Sequence, residues 1–587
     1  MADTTHTTPP IPLPRSAARL LIAAGAVATI ASTFMSWTWT PDFPGDLTVY
    51  GYPAGLQVIA LVAGLLTLLF SLTLWNVRGL RWLNPAGATT PLLFIALSGF
   101  AVCWYTALAI AVDLGGLVNL DPGGYVAVVA SALPVLGALA LPRPGSGARD
   151  YFTKPERPAP ARPLAGWTPY AVVIAGIALG LLAFTYGIGI SPDESETFIG
   201  FGLLVLFAAW ALTHAGLLDR FSALCAQHKG FATTAAFVAA AIFPFTQSDD
   251  HNANLGVNIL IFGTVALGLN IVVGLTGLLD LGYVAFLGVG AYAAALVSGS
   301  EYSRFAGTQF PFWAAALVGM AASLVFGVLI GAPTLRLRGD YLAIVTIGFG
   351  EIFRIAVNNM DGTSGPDITN GPDGIPSIPD LRILGFDFGD QHTVAGATLG
   401  RFANYFFLML LITALVVLVF TRAANSRIGR AWIAIREDET AAVAMGVNGF
   451  RVKLVAFALG ASLAGLAGTV SAHVTYNVVP TPYQFAGSTP PNSAFLLAAV
   501  VLGGMGTVSG PLIGAALLYL LPEKLTFLQQ YELLAFGLAL VVLMRFRPEG
   551  LIANRRRQLE FHATGQLDIP DSPELPDSTV GVTKAGA

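Results

Sequence analysis

Residues 268–292 read GLNIVVGLTGLLDLGYVAFLGVGAY. The run is apolar, yet Gly268, Gly274, Gly277, Gly282, Gly288 and Gly290 interrupt it, together with Asn270, Thr276 and Asp280. In hydrocarbon every backbone N–H and C=O must find a partner inside the protein, so spanning segments are helices or closed barrels. The stretch therefore reads as two tightly joined helices with a turn near Thr276 to Asp280. Glycine allows close helix approach, while the polar residues must face a cavity or a neighbouring helix. Close packing accounts for the glycines; for Asn270 and Thr276, cavity lining and hydrogen bonding to neighbouring backbone both stand as readings.

The rest of the chain repeats that character. Of 587 residues, 55% are hydrophobic and 11% charged, against roughly 25% charged in a soluble domain. Apolar runs of membrane-spanning length recur from end to end. A net charge of −4 with no basic block argues against a nucleic-acid partner and for membrane lipid as the surroundings. Cys103 and Cys225 have no second Cys or His at ligand spacing, so neither a metal site nor a disulfide framework is expected. The apolar run after Arg15 and Arg19 is long for a signal peptide and ends at Trp37 and Trp39, which fits a retained first helix with an interfacial aromatic anchor.

Sixteen apolar segments can be marked, near 17–35, 53–75, 88–112, 123–141, 167–187, 197–218, 230–246, 255–275, 282–298, 311–332, 341–357, 403–421, 454–474, 492–505, 509–521 and 531–545. The pairs around 275–282 and 505–509 are joined so tightly that either is also compatible with a broken or re-entrant helix. With the N-terminus inside, 25 of the 30 Lys and Arg residues fall on the cytoplasmic side, whereas outer loops carry acids such as Asp113, Asp193 and Asp249. The expected fold is thus all-α, a polytopic membrane helical bundle of about 16 segments with both termini cytoplasmic.

Composition also divides the chain. Residues 1–14 are Thr/Pro-rich and read as a disordered N-terminus; 15–141 hold four spans; 142–165 form a Pro/Arg-rich cytoplasmic linker; 166–229 hold two further spans. The glycine-rich, motif-bearing part covers 230–553, and 554–587 read as a disordered cytoplasmic tail.

No enzyme constellation is present: there is no H-E-x-x-H, no G-x-S-x-G and no phosphate-binding G-x-x-x-x-G-K-[ST]. Neither catalytic nor metal-ligating residues are expected, and any ATP hydrolysis belongs to another chain. The features left suggest a substrate path. Glu351 and Arg354 stand three apart on one helical face, so an intramembrane carboxylate and a structural ion pair are both open. In the cytoplasmic loop 422–453, IAIREDETAAVAMG has helical spacing that sets Ile435, Thr440, Val443 and Ala444 opposite Arg436, Glu437 and Asp438. Such an amphipathic helix suits a groove on a soluble partner, and the acids Glu437, Asp438 and Glu439 disfavour anionic lipid. Ala456, Gly460, Ala464 and Gly468 recur every four residues as a smooth helix-packing ridge.

Taken together, GLNIVVGLTGLLDLGYVAFLGVGAYAAAL (268–296), LRLRGDYLAIVTIGFGEIFRI (335–355), TNGPDGI (369–375), SRIGRAWIAIREDETAAVAMGVN (426–448) and VVLGGMGTVSGPLIGAALL (500–518) resemble, in order, the signature stretches of permease subunits of branched-chain amino-acid ABC importers. The resemblance covers more than half the chain. It implies a bacterial inner-membrane permease that works with a sister permease, two ATP-binding cassette subunits that use the ATP, and an extracytoplasmic substrate-binding protein, with no cofactor on this chain. It also implies ATPase coupling through Arg436, Glu437, Asp438, Glu439, Ala441, Ala442 and Gly446. Against the E-A-A-x-x-x-G pattern of importer permeases, Ala441, Ala442 and Gly446 match and Thr440 replaces the Glu. A translocation path lined by Asn270, Gly274, Thr276, Gly277, Asp280, Tyr283 and Glu351 follows, as does docking of the binding protein on the acidic outer loop 358–401. Leucine, isoleucine and valine are the implied cargo; urea, short amides or other hydrophobic amino acids are the alternatives with the same machinery. A membrane scaffold and an ion-coupled secondary transporter are the alternatives of another class.

Overall fold

The computed structural model describes residues 6–7, 11–38, 55–75, 77, 80–85, 89–141, 143–144, 166–247, 249–305, 307–336, 340–363, 365–383, 385–394, 396–487, 492–546 and 550–552. Most of 1–14, the linker 142–165 apart from 143–144, and the tail 554–587 lie outside them. Among the described residues the helices are α1 (Arg15–Ser32), α2 (Leu56–Leu72), α3 (Thr90–Asp113), α4 (Pro122–Leu139), α5 (Thr168–Gly189), α6 (Ser195–His214) and α7 (Leu217–Gln227). There follow α8 (Lys229–Ile242), α9 (Asp250–Asn270), α10 (Val284–Leu296), α11 (Phe312–Thr334), α12 (Asp340–Asn358) and α13 (Arg401–Ala424). The last are α14 (Arg427–Glu437), α15 (Glu439–Ala444), α16 (Gly449–Thr475), α17 (Ser493–Gly503), α18 (Ser509–Lys524) and α19 (Glu532–Phe546).

Twelve helices are long and apolar enough to cross a membrane, so the chain is a polytopic helical membrane protein. All sixteen apolar segments are helical, but α10, α17, α18 and α19 have only 13, 11, 16 and 15 residues. At about 1.5 Å per residue α17 is about 16 Å long, roughly half the hydrocarbon core. The short helices α10 and α17 sit beside the two tight joints foreseen at 275–282 and 505–509. Several boundaries follow from capping: Asp249 accepts from the N–H of His251, Ser426 from Gly429, Asn448 from Arg451 and Asn492 from Phe495.

The helices fall into two packed groups. Helices α1 to α4 and α6 pack on one another around two small cores, one near Trp37, Ile59 and Val102 and one near Ile22, Phe70 and Phe94. Helix α5 leaves that group and packs with α7, α8 and α9. The two spans read together as 166–229 therefore take different neighbours, because the partition follows helix faces and not the linker. The second group has one large core in which α16 lies against α9, α10 and α11, while α13, α17 and α18 surround α9. Lys524 of α18, 1% exposed, fastens the end of α5 to this second group: its Nζ donates to the carbonyls of Ile188 (2.7 Å) and Ile190 (2.5 Å). A cation is favourable at those helix-terminal carbonyls.

Sheet is confined to short antiparallel pairs, of which Arg382–Ile383 with Phe386–Asp387 and His392–Val394 with Ala397–Leu399 fold the loop between α12 and α13.

Candidate functional site

Helix α9 ends in a π-helical turn, Ile271–Leu275, after which the backbone runs irregularly to Tyr283. The turn is closed by the N–H of Leu278, which donates to the carbonyl of Val272 at 3.1 Å, and by the Thr276 hydroxyl, which donates to the same carbonyl. Gly277 has φ 71°, a left-handed conformation that side chains disfavour. Irregular backbone at membrane depth requires other partners, and the polar residues of the opening stretch supply them. Asn270, fully buried, donates from Nδ2 to the carbonyl of Thr507 (2.7 Å) and accepts at Oδ1 from the N–H of Gly506 (2.8 Å). The first helix break is thereby fastened to the second, 503–509. Gly274 stands at the contact; a Cβ there would strike Asn270 Oδ1 and come within 2.6 Å of the Gly506 nitrogen.

Asp280 is 1% exposed. Its Oδ1 accepts from the N–H of Gly282 (3.0 Å), whereas Oδ2 makes no hydrogen bond. Thr346 of α12 meets the same segment, accepting at its hydroxyl from the N–H of Leu281 (3.0 Å). Tyr283, also fully buried, donates its hydroxyl to the carbonyl of Gly460 at 2.6 Å. The ridge of α16 carries these contacts: Ala456 and Ala464 are fully buried, Gly460 faces the carbonyl of Gly268, and Gly468 faces Leu287 and Ala291 of α10. Asn270, Gly274, Thr276, Asp280 and Tyr283 thus come together as a buried polar seam among α9, α10, α12, α16 and the second break.

Glu351 lies elsewhere. On the peripheral α12, Arg354 donates from Nε (2.9 Å) and Nη2 to Glu351 Oε1, and the two side chains are 27% and 42% exposed respectively. The pair shares a half-exposed face with Ile352 and Ile355 and does not join the seam.

Loop 422–453 differs from the single amphipathic helix expected. Asp438 (φ −154°, ψ 107°) leaves the helix, ends α14 and caps α15 by accepting from the N–H of Ala441 at 2.9 Å. The resulting kink separates residues that shared a face on a continuous helix: Ile435 is 5% exposed and Val443 52%. Of the acids and bases read as one docking face, Arg436 turns inward, donating from Nη1 to the carbonyl of Gly274 (2.7 Å), and Glu439 accepts from buried Lys453 (2.6 Å). Trp432 fastens α14 by donating to the carbonyl of Val452 (2.8 Å), and Ala442 is buried. Gly446, φ 88°, closes α15, with the N–H of Val447 reaching the carbonyl of Ala442 and that of Gly446 reaching Val443. Glu437, Asp438, Ala441 and Gly446 remain on the outside, joined by Val443 and by Met445, 85% exposed. Met445 was not singled out from sequence; an isolated Met between the Ala pair and the glycine was its signal.

The start of α13 holds a cluster that the sequence reading also missed. Arg401, at the start of α13, donates to Asp380 (2.9 Å) and to the carbonyls of Val474 (3.0 Å) and His473 (2.7 Å), and its guanidinium lies 3.3 Å over the ring of Tyr476. Tyr405 and Tyr476 both donate to Asp380. Tyr476 itself has φ 59°, unusual for a bulky residue. An arginine opening an apolar helix was the available signal. Of the acids in loop 358–401, Asp380 and Asp387 are engaged within the loop region, Asp387 with Arg382, and Asp367 pairs with Arg304; Asp373 and Asp390 are exposed.

Comparison with known proteins bears on the same elements. Over 341 residues the chain is 39% identical to the high-affinity branched-chain amino acid transport system permease protein LivM of Salmonella typhimurium, covering 56% of this chain and 76% of that one. LivM of Escherichia coli matches with the same identity and coverage. LivH of Escherichia coli is 32% identical over 146 residues, 24% of this chain and 45% of that one. No solved structure matches. Residues 253–544, which contain both helix breaks, α12, loop 422–453 and the Arg401 cluster, match the family described as "Branched-chain amino acid transport system / permease component". By this match and the coverage of LivM, the chain belongs to the branched-chain amino acid transport system permease family and is a multi-pass protein of the inner membrane.

Proposed function

We propose that this permease carries leucine, isoleucine and valine inward, together with a sister permease, and that two separate ATP-binding cassette subunits bind and hydrolyse the ATP. An extracytoplasmic binding protein delivers the cargo to the outer loop 358–401. In this reading 230–553 is the permease domain, both termini are cytoplasmic, and the N-terminal spans are a lateral scaffold. The kinship with LivM supports the cargo. The observation that carries the coupling is the kinked cytoplasmic loop, which presents Glu437, Asp438, Ala441, Val443, Met445 and Gly446 outward while Trp432, Glu439 and Ala442 hold it against the body. Exposed Met and Val on a fixed cytoplasmic projection fit a groove on a soluble subunit.

The path itself runs along the half-exposed face of α12. A Glu351–Arg354 pair facing lipid is costly, whereas facing a sister subunit or a wet cleft it is not. Asn270, Gly274, Thr276, Gly277, Asp280 and Tyr283 then shape the path from behind, by holding the broken helices that border it. The test is uptake of labelled leucine, isoleucine, valine and urea by the reconstituted complex with and without ATP. ATP-dependent uptake of the three branched-chain amino acids is expected; uptake driven by an ion gradient alone refutes the importer, and uptake of urea alone reassigns the cargo.

A further inference from the structure

We infer that Arg436 is the positioning residue through which the cytoplasmic loop grips both helix breaks of the permease at once. The argument rests on the functional reading above for the source of the force, and on geometry for its route. Arg436 occupies the last turn of α14, and its guanidinium donates to the carbonyl of Gly274 (2.7 Å). That partner is a main-chain carbonyl in the π turn that ends α9, where unpaired carbonyls gather and a cation is favoured. The aliphatic stem packs on Gly277, where a Cβ would come 2.9 Å from Arg436 Cγ. Only a glycine there admits both the left-handed backbone and the arginine stem.

On its other side Gly274 abuts the amide of Asn270, which holds the N–H of Gly506 and the carbonyl of Thr507. One continuous line of contacts thus runs from α14 through Gly274 and Asn270 to the second break, joining segments more than 200 residues apart in sequence. Unwound segments are where a packed bundle changes shape most readily, because their backbone is held by side chains that can exchange partners. A shift of α14 would move the Gly274 carbonyl and, with it, both breaks. Arg436 therefore belongs to transmission within this chain, not to the face that meets the ATPase.

The experiment uses the full complex of this chain, its sister permease, the ATPase subunits and the binding protein, with Arg436→Ala and Arg436→Lys. Expected in Arg436→Ala are unchanged co-purification of the ATPase subunits, retained ATP hydrolysis, and a rise of about tenfold in ATP consumed per amino acid transported, the size of losing one charge-assisted hydrogen bond. Arg436→Lys, which keeps a donor, recovers part of the ratio. Loss of ATPase co-purification makes Arg436 a docking residue and overturns the inference, as does an unchanged ratio. Spin labels at Leu279 and at Ile428 of α14, both exposed, give a readout independent of transport. Their distance distribution broadens in Arg436→Ala if the grip exists, and an unchanged distribution refutes it. Absence of ATP-driven uptake by the wild type would instead sink the functional reading, leaving the label measurement to decide the grip.

Discussion

The N-terminal bundle and the permease body meet the same problem, polar groups inside a membrane helix bundle, but the body adds bonds over long range. In the bundle, hydroxyls mostly turn back on their own helix: Thr29 donates to the carbonyl of Gly25, Ser98 to Ile95 and Thr106 to Val102. The body uses the same back-bonding, as from Thr334 to Ile330 and Thr469 to Gly465, but adds polar side chains that reach across the fold, from Asn270 to Thr507, Tyr283 to Gly460, Ser323 to Phe286 and Thr264 to Thr413. Burial peaks in the body, where 89% of the α9 window is buried against 61% for α3 in the bundle, although α11 and α12 at the body's periphery reach only 33% and 28%. Local back-bonding satisfies a hydroxyl without tying helices together; long-range bonding stabilises backbone that is not helical. The bundle therefore has unbroken helices that need no outside partner, whereas the body keeps two broken ones that exist only because distant residues hold them.

Matched substitutions should expose that contrast. Replacing Asn270 by Ala removes both hydrogen bonds that fasten the first break to the half-buried second one, and should destabilise the protein by about 1–3 kcal/mol. Thr106→Ala removes a bond whose acceptor already belongs to a helix, with an expected cost below about 1 kcal/mol. Thermal unfolding of the two variants in detergent compares them directly, and equal losses would erase the distinction drawn here.

Lys524 tests how α5 is fastened to the permease body. Lys524→Met keeps the length of the side chain and removes the ammonium from the carbonyls of Ile188 and Ile190, an expected loss of about 1–3 kcal/mol concentrated at the end of α5. Proteolysis after α5 should quicken while the cleavage pattern of the permease body stays the same. A uniform loss of stability would mean that α5 and the body unfold as one unit.

The smallest effect concerns the hairpin at 382–387. The N–H of Gly389, followed by the Arg382 side chain, holds the Asp387 carboxyl below its ordinary value. A lowered folded-state pKa contributes stability above the unfolded value, near 3.9 for Asp, and loses it as pH falls through the folded value. Pepsin should thus cut at 382–387 faster as pH drops from about 4 toward 2 in the wild type. Asp387→Asn should be equally susceptible across that window.

Local sequence carried much of this. Each apolar segment read from composition is a helix, since length and hydrophobicity suffice to demand one in lipid. The two tight joints were legible from the short gaps between apolar segments. Less legible were faces and partners. The kink at Asp438 turned Val443 outward and Arg436 inward, though a continuous helix would have grouped them otherwise. Arg401 drew no notice because its carboxylate and its aromatic partner come from different loops.

In GLNIVVGLTGLLDLGYVAFLGVGAY, the sequence by itself determined that a membrane helix breaks near Thr276 to Asp280 and that its polar residues need partners. Only the tertiary structure decided that Asn270 spends both ends of its amide on Gly506 and Thr507, and that Arg436 of α14 closes the break at Gly274. The physical reason is one of range. Hydrophobicity and backbone strain are properties of a few neighbouring residues, whereas a hydrogen-bond partner is whatever group the packed chain brings within about 3 Å.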